Sequence, residues 1–585
     1  MAGVTAHLLV MLLATALTAL CVQARATVAP AGALGQLVPV IVRGLPGAVA
    51  VAERRVLAVG GIPGRRLGIV DGVAAAVPAG RLAKLAAMPG ITGISPNGGV
   101  RLLGSASTST APTTTYQAAQ TIGATAMWNA GYTGKGVDVA LIDSGVAPVP
   151  GLDASGKVVN GADVSFESQS PYLRYLDTFG HGTHMAGIIA GRDPAWTPGS
   201  ASTNFGGIAP DARLVSIKAA DAFGATDVSQ VIAAIDWVVQ HKRDNGMNIR
   251  VLNLSFGTDG TLDQSYLLSP LAYAAEVAWR NGIVVVAAVG NNSSPYTAGR
   301  QPSTYVSHMT DPAFDPFLLA VGAHNGKNTA QLGDDWVPEF SSTGDTFRRP
   351  DVIAPGTSIV GLANPGSNVD LTYSGGRVGT RFFKGSGTSQ GAAMASGAVA
   401  LLAQQYPTAT PDQLKALLNK TASKIPGANN LGQGNGLINL AAARTAAPPT
   451  ASASAQPYTP SSGTGSLDVS RGGAHLQDGS VVLDGERDIF GRTFNSSTMA
   501  GAEATATSWQ GGNWNGGTWT GSSWSGTYWT TATWSGTTWA GTPWSSITYS
   551  GSRWTGSRWT GGTWTGSRWT GSRWTNEAWS SASWS

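Results

Sequence analysis

Val137-Asp138-Val139-Ala140-Leu141-Ile142-Asp143-Ser144-Gly145-Val146 opens on an apolar, β-branched run and breaks at a carboxylate followed by Ser-Gly. Such a run reads as a strand buried on both faces that ends as Asp143 enters a turn. Downstream the pattern alternates. Val228 to Gln240 has helical apolar spacing, Arg250 to Leu254 reads as a strand, Leu271 to Trp279 as a helix and Ile283 to Ala288 as a strand again. This alternation predicts an α/β fold, a parallel sheet with helices on both faces. Ligand sites of such sheets lie at the carboxyl ends of strands, so chemistry is sought just after these runs.

Four polar residues occupy such places. Asp143 follows the first strand, where a carboxylate can hold a histidine ring in one tautomer. His181, in Gly180-His181-Gly182-Thr183-His184, opens a small-residue helix. A helix N-terminus disfavours imidazolium and suits a general base. Ser389, in Gly385-Ser386-Gly387-Thr388-Ser389, opens a second small-residue helix running to Gln404. Its hydroxyl needs a base to become a nucleophile, and its N–H can donate to an oxyanion. Asn291 ends the strand Ile283 to Ala288 through Val289 and Gly290, where its amide can supply a second oxyanion donor. Singly these signals are weak. Asp-Ser-Gly also fits an Asx-turn, and two histidines at i and i+3 also fit metal ligation. The order Asp, His, Asn, Ser along an alternating pattern is the specific signal.

These residues resemble the subtilisin-like serine peptidases (subtilases). The matching blocks are Val139 to Val146, His181 to Gly187 and Gly387 to Ser389, and the likeness covers about residues 116–446. The resemblance implies a subtilisin-like fold, a secreted serine endopeptidase made as a zymogen, protein or peptide substrates, and an Asp143–His181–Ser389 triad with Asn291 in the oxyanion hole. It makes Ser255, Phe256 and Gly257 part of the substrate cleft, with Ala288, Val289 and Gly290 as one pocket wall. It implies no cofactor and a monomer; structural calcium is compatible with it, although no ligand run marks a site. One departure is Gln390-Gly391-Ala392-Ala393-Met394, where the family usually has a proline and a histidine in place of Ala393 and Met394. Residues 36–104 resemble, more faintly, the family's small α+β inhibitory prodomain, with processing in a linker at 105–115.

The flanks are read from composition. Residues 1–29 fit a signal peptide: Leu8 to Val22 is apolar, about 15 residues against the ~20 of a membrane span, and is followed by small-x-small sites. Cys21, the single cysteine, falls in that run, so the mature chain would lack disulfides. A formal charge of +4 over 585 residues gives no ground for nucleic-acid binding. Residues 447–505 read as a linker and a short mixed segment. Residues 506–585 carry Trp every five residues, with Tyr549 as the exception. Similar tails occur on secreted actinobacterial subtilases. A period of five fits neither a flat strand nor a helix face, and the aromatics suit contact with a cell wall or polysaccharide. A non-catalytic surface-binding protein using that tail is the alternative reading.

Overall fold

The computed structural model describes residues 37–45, 48–67, 71–96, 112–169, 173–258, 265–291, 308–329, 331–472, 475–478 and 481–518, with three two-residue strands at 549–550, 559–560 and 574–575. The expected signal peptide, most of the expected processing linker and most of the Trp repeat lie outside the described residues. The chain divides into two compact units, residues 1–104 and 105–585.

In the first unit, strands Leu37–Gly44, Ile62–Leu67, Gly72–Pro78 and Ile91–Pro96 form one sheet, with Leu37–Gly44 antiparallel to both Gly72–Pro78 and Ile91–Pro96. Helices Val49–Ala58 and Leu82–Ala86 interrupt the strands, giving a β-α-β-β-α-β order. Val42, Val56, Val73, Val77 and Leu85 fill a core of its own. The sequence predicts a helix from Ala79 to Met88; the chain there makes a 3-10 turn over Ala79–Arg81 before Leu82–Ala86.

The second unit is built on seven strands: β1 (Asp138–Asp143), β2 (Val158–Asp163), β3 (Arg213–Lys218), β4 (Ile249–Leu254), β5 (Val284–Ala288), β6 (Leu319–His324) and β7 (Val352–Pro355). Their order is β7-β6-β5-β4-β1-β3-β2, and every pairing is parallel. β1 and β4 to β7 are buried along their whole length, which explains their unbroken apolar runs.

Helices start where caps allow. α1 spans His181–Ala190. α2 (Val228–His241) is capped by Asp227, whose carboxylate accepts from the Ser229 N–H while Gln230 closes a capping box. α3 (Pro270–Arg280) has Ser269 at the cap and Pro270 at the first turn. α4 (Thr388–Gln405) is buried from Thr388 to Ala403, and its Ala, Gly and Ser residues let it lie directly against β4 to β7. α2 and α3 pack together and cover the sheet through contacts with β1 and β5.

Composition predicts a linker, a short mixed segment and the start of the repeat over 448–518; the described residues of this span pack on the second unit as a strap. α5 (Leu467–Ser470) contacts α2 and α3, and α6 (Ser496–Ala504) contacts α3. Leu467, Leu476, Leu483, Phe490, Phe494, Trp509 and Trp514 belong to the same core as the sheet. Pairs Trp509–Gln510, Asn513–Trp514 and Gly517–Thr518 form a small antiparallel meander through Gly511-Gly512 and Asn515-Gly516 turns. The first two repeat units are therefore turn-like steps docked on α2: the Trp509 Nε1–H donates to the Ala233 carbonyl at 2.7 Å and the Trp514 Nε1–H to Asp236 Oδ2 at 2.7 Å.

Candidate active site

Asp143 closes β1 at the carboxyl edge of the sheet, and His181 is the first residue of α1. The His181 Nδ1 lies 2.8 Å from Asp143 Oδ1 and 2.9 Å from Oδ2, with both side chains buried. Because an ionised carboxylate only accepts, the ring carries its proton on Nδ1 and leaves the Nε2 lone pair for a proton. Gly182 permits this approach: a Cβ there would lie 2.0 Å from the Gly145 carbonyl oxygen.

A deeper layer fixes the pair. The Ser144 N–H donates to Asp143 Oδ1 at 2.8 Å, and the Ser144 hydroxyl donates to Asp177 Oδ1 at 2.8 Å. Asp177 also accepts from the Gly180 N–H at 2.6 Å and the Thr183 N–H at 2.8 Å. One buried carboxylate thus holds the neighbour of Asp143 and the helix start that carries His181. Burial raises its pKa, with the hydrogen bonds from Thr183, Gly180 and Ser144 opposing the shift. The ammonium of Lys218, at the end of β3, sits 2.6 Å from Glu167 Oε2 and donates to the Ser144 carbonyl at 3.1 Å. Burial alone would lower its pKa, but the Glu167 and Asp163 carboxylates outweigh that and raise it. Sequence reasoning missed Ser144, Asp177 and Lys218. An Asp three residues ahead of a glycine at a helix start is the only signal Asp177 offered.

Ser389 is the second residue of α4, and α4 packs directly against α1. Its hydroxyl donates to the Ser255 carbonyl at 3.4 Å. Ser255 follows β4; its own hydroxyl accepts from the Asn253 Nδ2 at 3.0 Å, and the Ser396 hydroxyl of α4 donates to Asn253 Oδ1 at 3.0 Å. Strand end and helix start are thus tied together, with Phe256 and Gly257 continuing from Ser255. Asn291 follows β5 through Ala288, Val289 and Gly290, the last at φ 103°, a conformation that favours glycine. Asn291 Oδ1 accepts from the Thr388 N–H at 2.9 Å, next to Ser389. That bond fixes the amide orientation, and the buried Nδ2 has no hydrogen-bond partner among the described residues.

Asp143 and His181 are therefore joined directly, Ser389 is joined to Ser255, and Asn291 is joined to the residue before Ser389. His184 is buried against Gly361. Burial, with the His181 ring nearby, lowers its pKa to about 3, so it stays neutral. Among the described residues no group of three or more His, Cys, Asp or Glu is arranged to hold a metal ion, and no helix is long and apolar enough to cross a membrane.

The parallel α/β sheet thus carries an Asp–His pair, a serine at a helix start and an asparagine amide bonded to the residue before that serine. The family model described as the subtilase family matches residues 134–436. Serine protease AprX from Bacillus subtilis (strain 168) is 36% identical over 296 residues, 50% of this chain and 62% of that protein. Subtilisin E from the same organism is 33% identical over 323 residues, 55% of this chain and 69% of that protein. The minor extracellular protease Epr, also from Bacillus subtilis, is 33% identical over 319 residues, and the chain covers 40% of its length. The chain belongs to the subtilase family.

Proposed function

We propose that the chain is a serine endopeptidase that hydrolyses peptide bonds through an acyl-enzyme. The observation that carries the reading is the buried Asp143–His181 hydrogen bond, on a helix packed against the one that presents Ser389. The Ser389 hydroxyl turns from the Ser255 carbonyl to the His181 Nε2, gives up its proton and attacks the scissile carbonyl. Asp143 steadies the imidazolium that forms. The developing oxyanion receives hydrogen bonds from the Asn291 Nδ2 and the Ser389 N–H; one such donor is worth about 3 kcal/mol. His181 then protonates the leaving amine, and water repeats the sequence on the acyl-enzyme.

The finer parts of the reading rest on the sequence. The chain is exported by its N-terminal segment, acts on protein or peptide substrates and works as a monomer outside the cell. The first unit serves as an inhibitory prodomain that is cut away. The Trp tail beyond the strap contacts a cell-wall or polysaccharide surface. Incubation of the purified chain with casein, beside Ser389→Ala, tests the central part. The wild-type chain releases peptides and its own first unit, and Ser389→Ala does neither. Equal peptide release by both would remove the reading.

A further inference from the structure

We propose that the strap is a brace for the substrate cleft, with Arg471 as a positioning residue that holds one of the two loops bordering it while the adjacent Ser470 holds the other. This rests on the peptidase reading of the same site. β3 and β4 flank β1, whose end is Asp143. The loops leaving their carboxyl ends, 219–227 and 255–258, therefore border the ligand side of the sheet. Asp227 ends the first loop and caps α2. Thr258 follows directly on Ser255-Phe256-Gly257 in the second.

Arg471 is fully buried and lies 244 positions from Asp227 in the chain. Its Nε donates to Asp227 Oδ2 at 2.7 Å and its Nη2 to Asp227 Oδ1 at 3.3 Å. Nη1 donates to the Gly485 carbonyl at 2.7 Å and to Asp468 Oδ1 at 3.1 Å, and Nη2 also donates to the Arg487 carbonyl. A guanidinium has five N–H donors, and all five are engaged here. Its neighbour holds the other loop. The Thr258 hydroxyl donates to the Ser470 carbonyl at 2.6 Å. The Ser470 and Ser269 hydroxyls lie 3.4 Å apart, and Ser269 donates to Asp311, whose backbone pairs with Thr258 through two 2.9 Å hydrogen bonds.

Two consecutive residues of the strap thus grip one loop each. A buried ion pair is a poor route to stability alone, since apolar packing of equal volume does as well or better. What a fully bonded, planar fork supplies is a fixed geometry. The strap side of the grip, Ser470 and Arg471, lies beyond residues 134–436, the part of the chain that the family model matches. The catalytic groups sit on α1, α4 and β1, none of which bonds to Arg471. Loosening the brace should therefore alter how an extended peptide is held more than how the bond is cut.

The test uses the full chain and three variants: Arg471→Met, Thr258→Val, and the pair Asp227→Asn with Arg471→Met. The paired variant leaves no lone buried charge and keeps an oxygen to cap α2, so it decides the matter if Arg471→Met fails to fold. A serine-directed phosphonate counts competent sites, after which kcat and KM are measured on a long peptide and on a single-residue ester. In the paired variant we expect full labelling, a KM for the long peptide raised about ten-fold, kcat within about two-fold, and an unchanged KM for the ester. Hydrogen exchange supplies a readout independent of catalysis, with exchange at 219–227 and 255–258 rising while β1, α1 and α4 stay protected. Full labelling with an unchanged long-peptide KM in both the paired variant and Thr258→Val would overturn the brace, as would unchanged exchange in those loops. A wild-type chain that takes no label would instead overturn the peptidase reading, and exchange would still decide the brace.

Discussion

Replacing Asp177 by alanine tests whether the geometry of the Asp143–His181 pair is set by the layer beneath it. The carboxylate accepts from the Ser144 hydroxyl, the Gly180 N–H and the Thr183 N–H at 2.8, 2.6 and 2.8 Å, all buried. A buried donor left unmade costs about 1–3 kcal/mol. Burial already opposes ionisation of Asp177, which offsets part of the sum, so we expect a loss of about 3 kcal/mol of stability. The larger effect should fall on rate. Ser144 would lose its anchor, the start of α1 would relax, and the ring and carboxylate would shift together. A misplacement of ~1 Å costs about 10²-fold, or about 2.7 kcal/mol of transition-state stabilisation. Asp177→Asn keeps one acceptor oxygen and should lose only about ten-fold. The assay is phosphonate titration of competent sites followed by kcat and KM on a peptide anilide, with the loss expected in kcat. An Asp177→Ala chain with a full titre and a kcat/KM within about three-fold of wild type would refute the positioning argument.

Asn291→Ala should lower kcat by about 10²–10³-fold with little change in KM, because its amide donates to charge that exists only in the transition state; steady-state kinetics on the same anilide checks it. Asp236, buried under Trp514, has its pKa raised to about 7 by burial. Glu503, pushed well up by burial and by Asp236, adds to the same effect. A carboxyl whose folded pKa is raised keeps a proton that the unfolded chain has lost. Its contribution is therefore complete below about pH 4 and declines by about 1.4 kcal/mol per unit as pH rises towards 7. Wild-type urea midpoints should accordingly fall between about pH 5 and pH 8 by more than those of Asp236→Asn, which keeps an oxygen for the Trp514 N–H.

The sheet and the three blocks that carry Asp143, His181 and Ser389 were legible because burial on both faces leaves unbroken apolar runs, and because small residues must follow His181 and Ser389 where α1 and α4 pack closely. β1, α2, β4, α3, β5 and α4 match the expected spans to within two residues at either end, α2 at Val228–His241 and β4 at Ile249–Leu254 among them. The strap was not legible. Leu467, Leu476, Leu483, Phe490 and Phe494 are spread among Gly, Ser and Asp with neither a two- nor a 3.6-residue period. Their burial comes from docking on α2 and α3, not from local pattern. The five acceptors of Arg471, on Asp227, Asp468, Gly485 and Arg487, come together only in space, and no local pattern marks them. Asp177 and Ser144 act through contacts set by tertiary packing, which no spacing encodes. The Trp period of five became interpretable only where Gly-Gly and Asn-Gly turns fold Trp509 and Trp514 onto α2.

The most direct measurement is mass-spectrometric mapping of the residue modified by a serine-directed phosphonate, in the wild-type chain and in His181→Ala. One adduct on Ser389, formed rapidly in the wild-type chain and very slowly without the His181 ring, is the predicted result. An adduct on another residue, or labelling of Ser389 at equal rates in both chains, would contradict it.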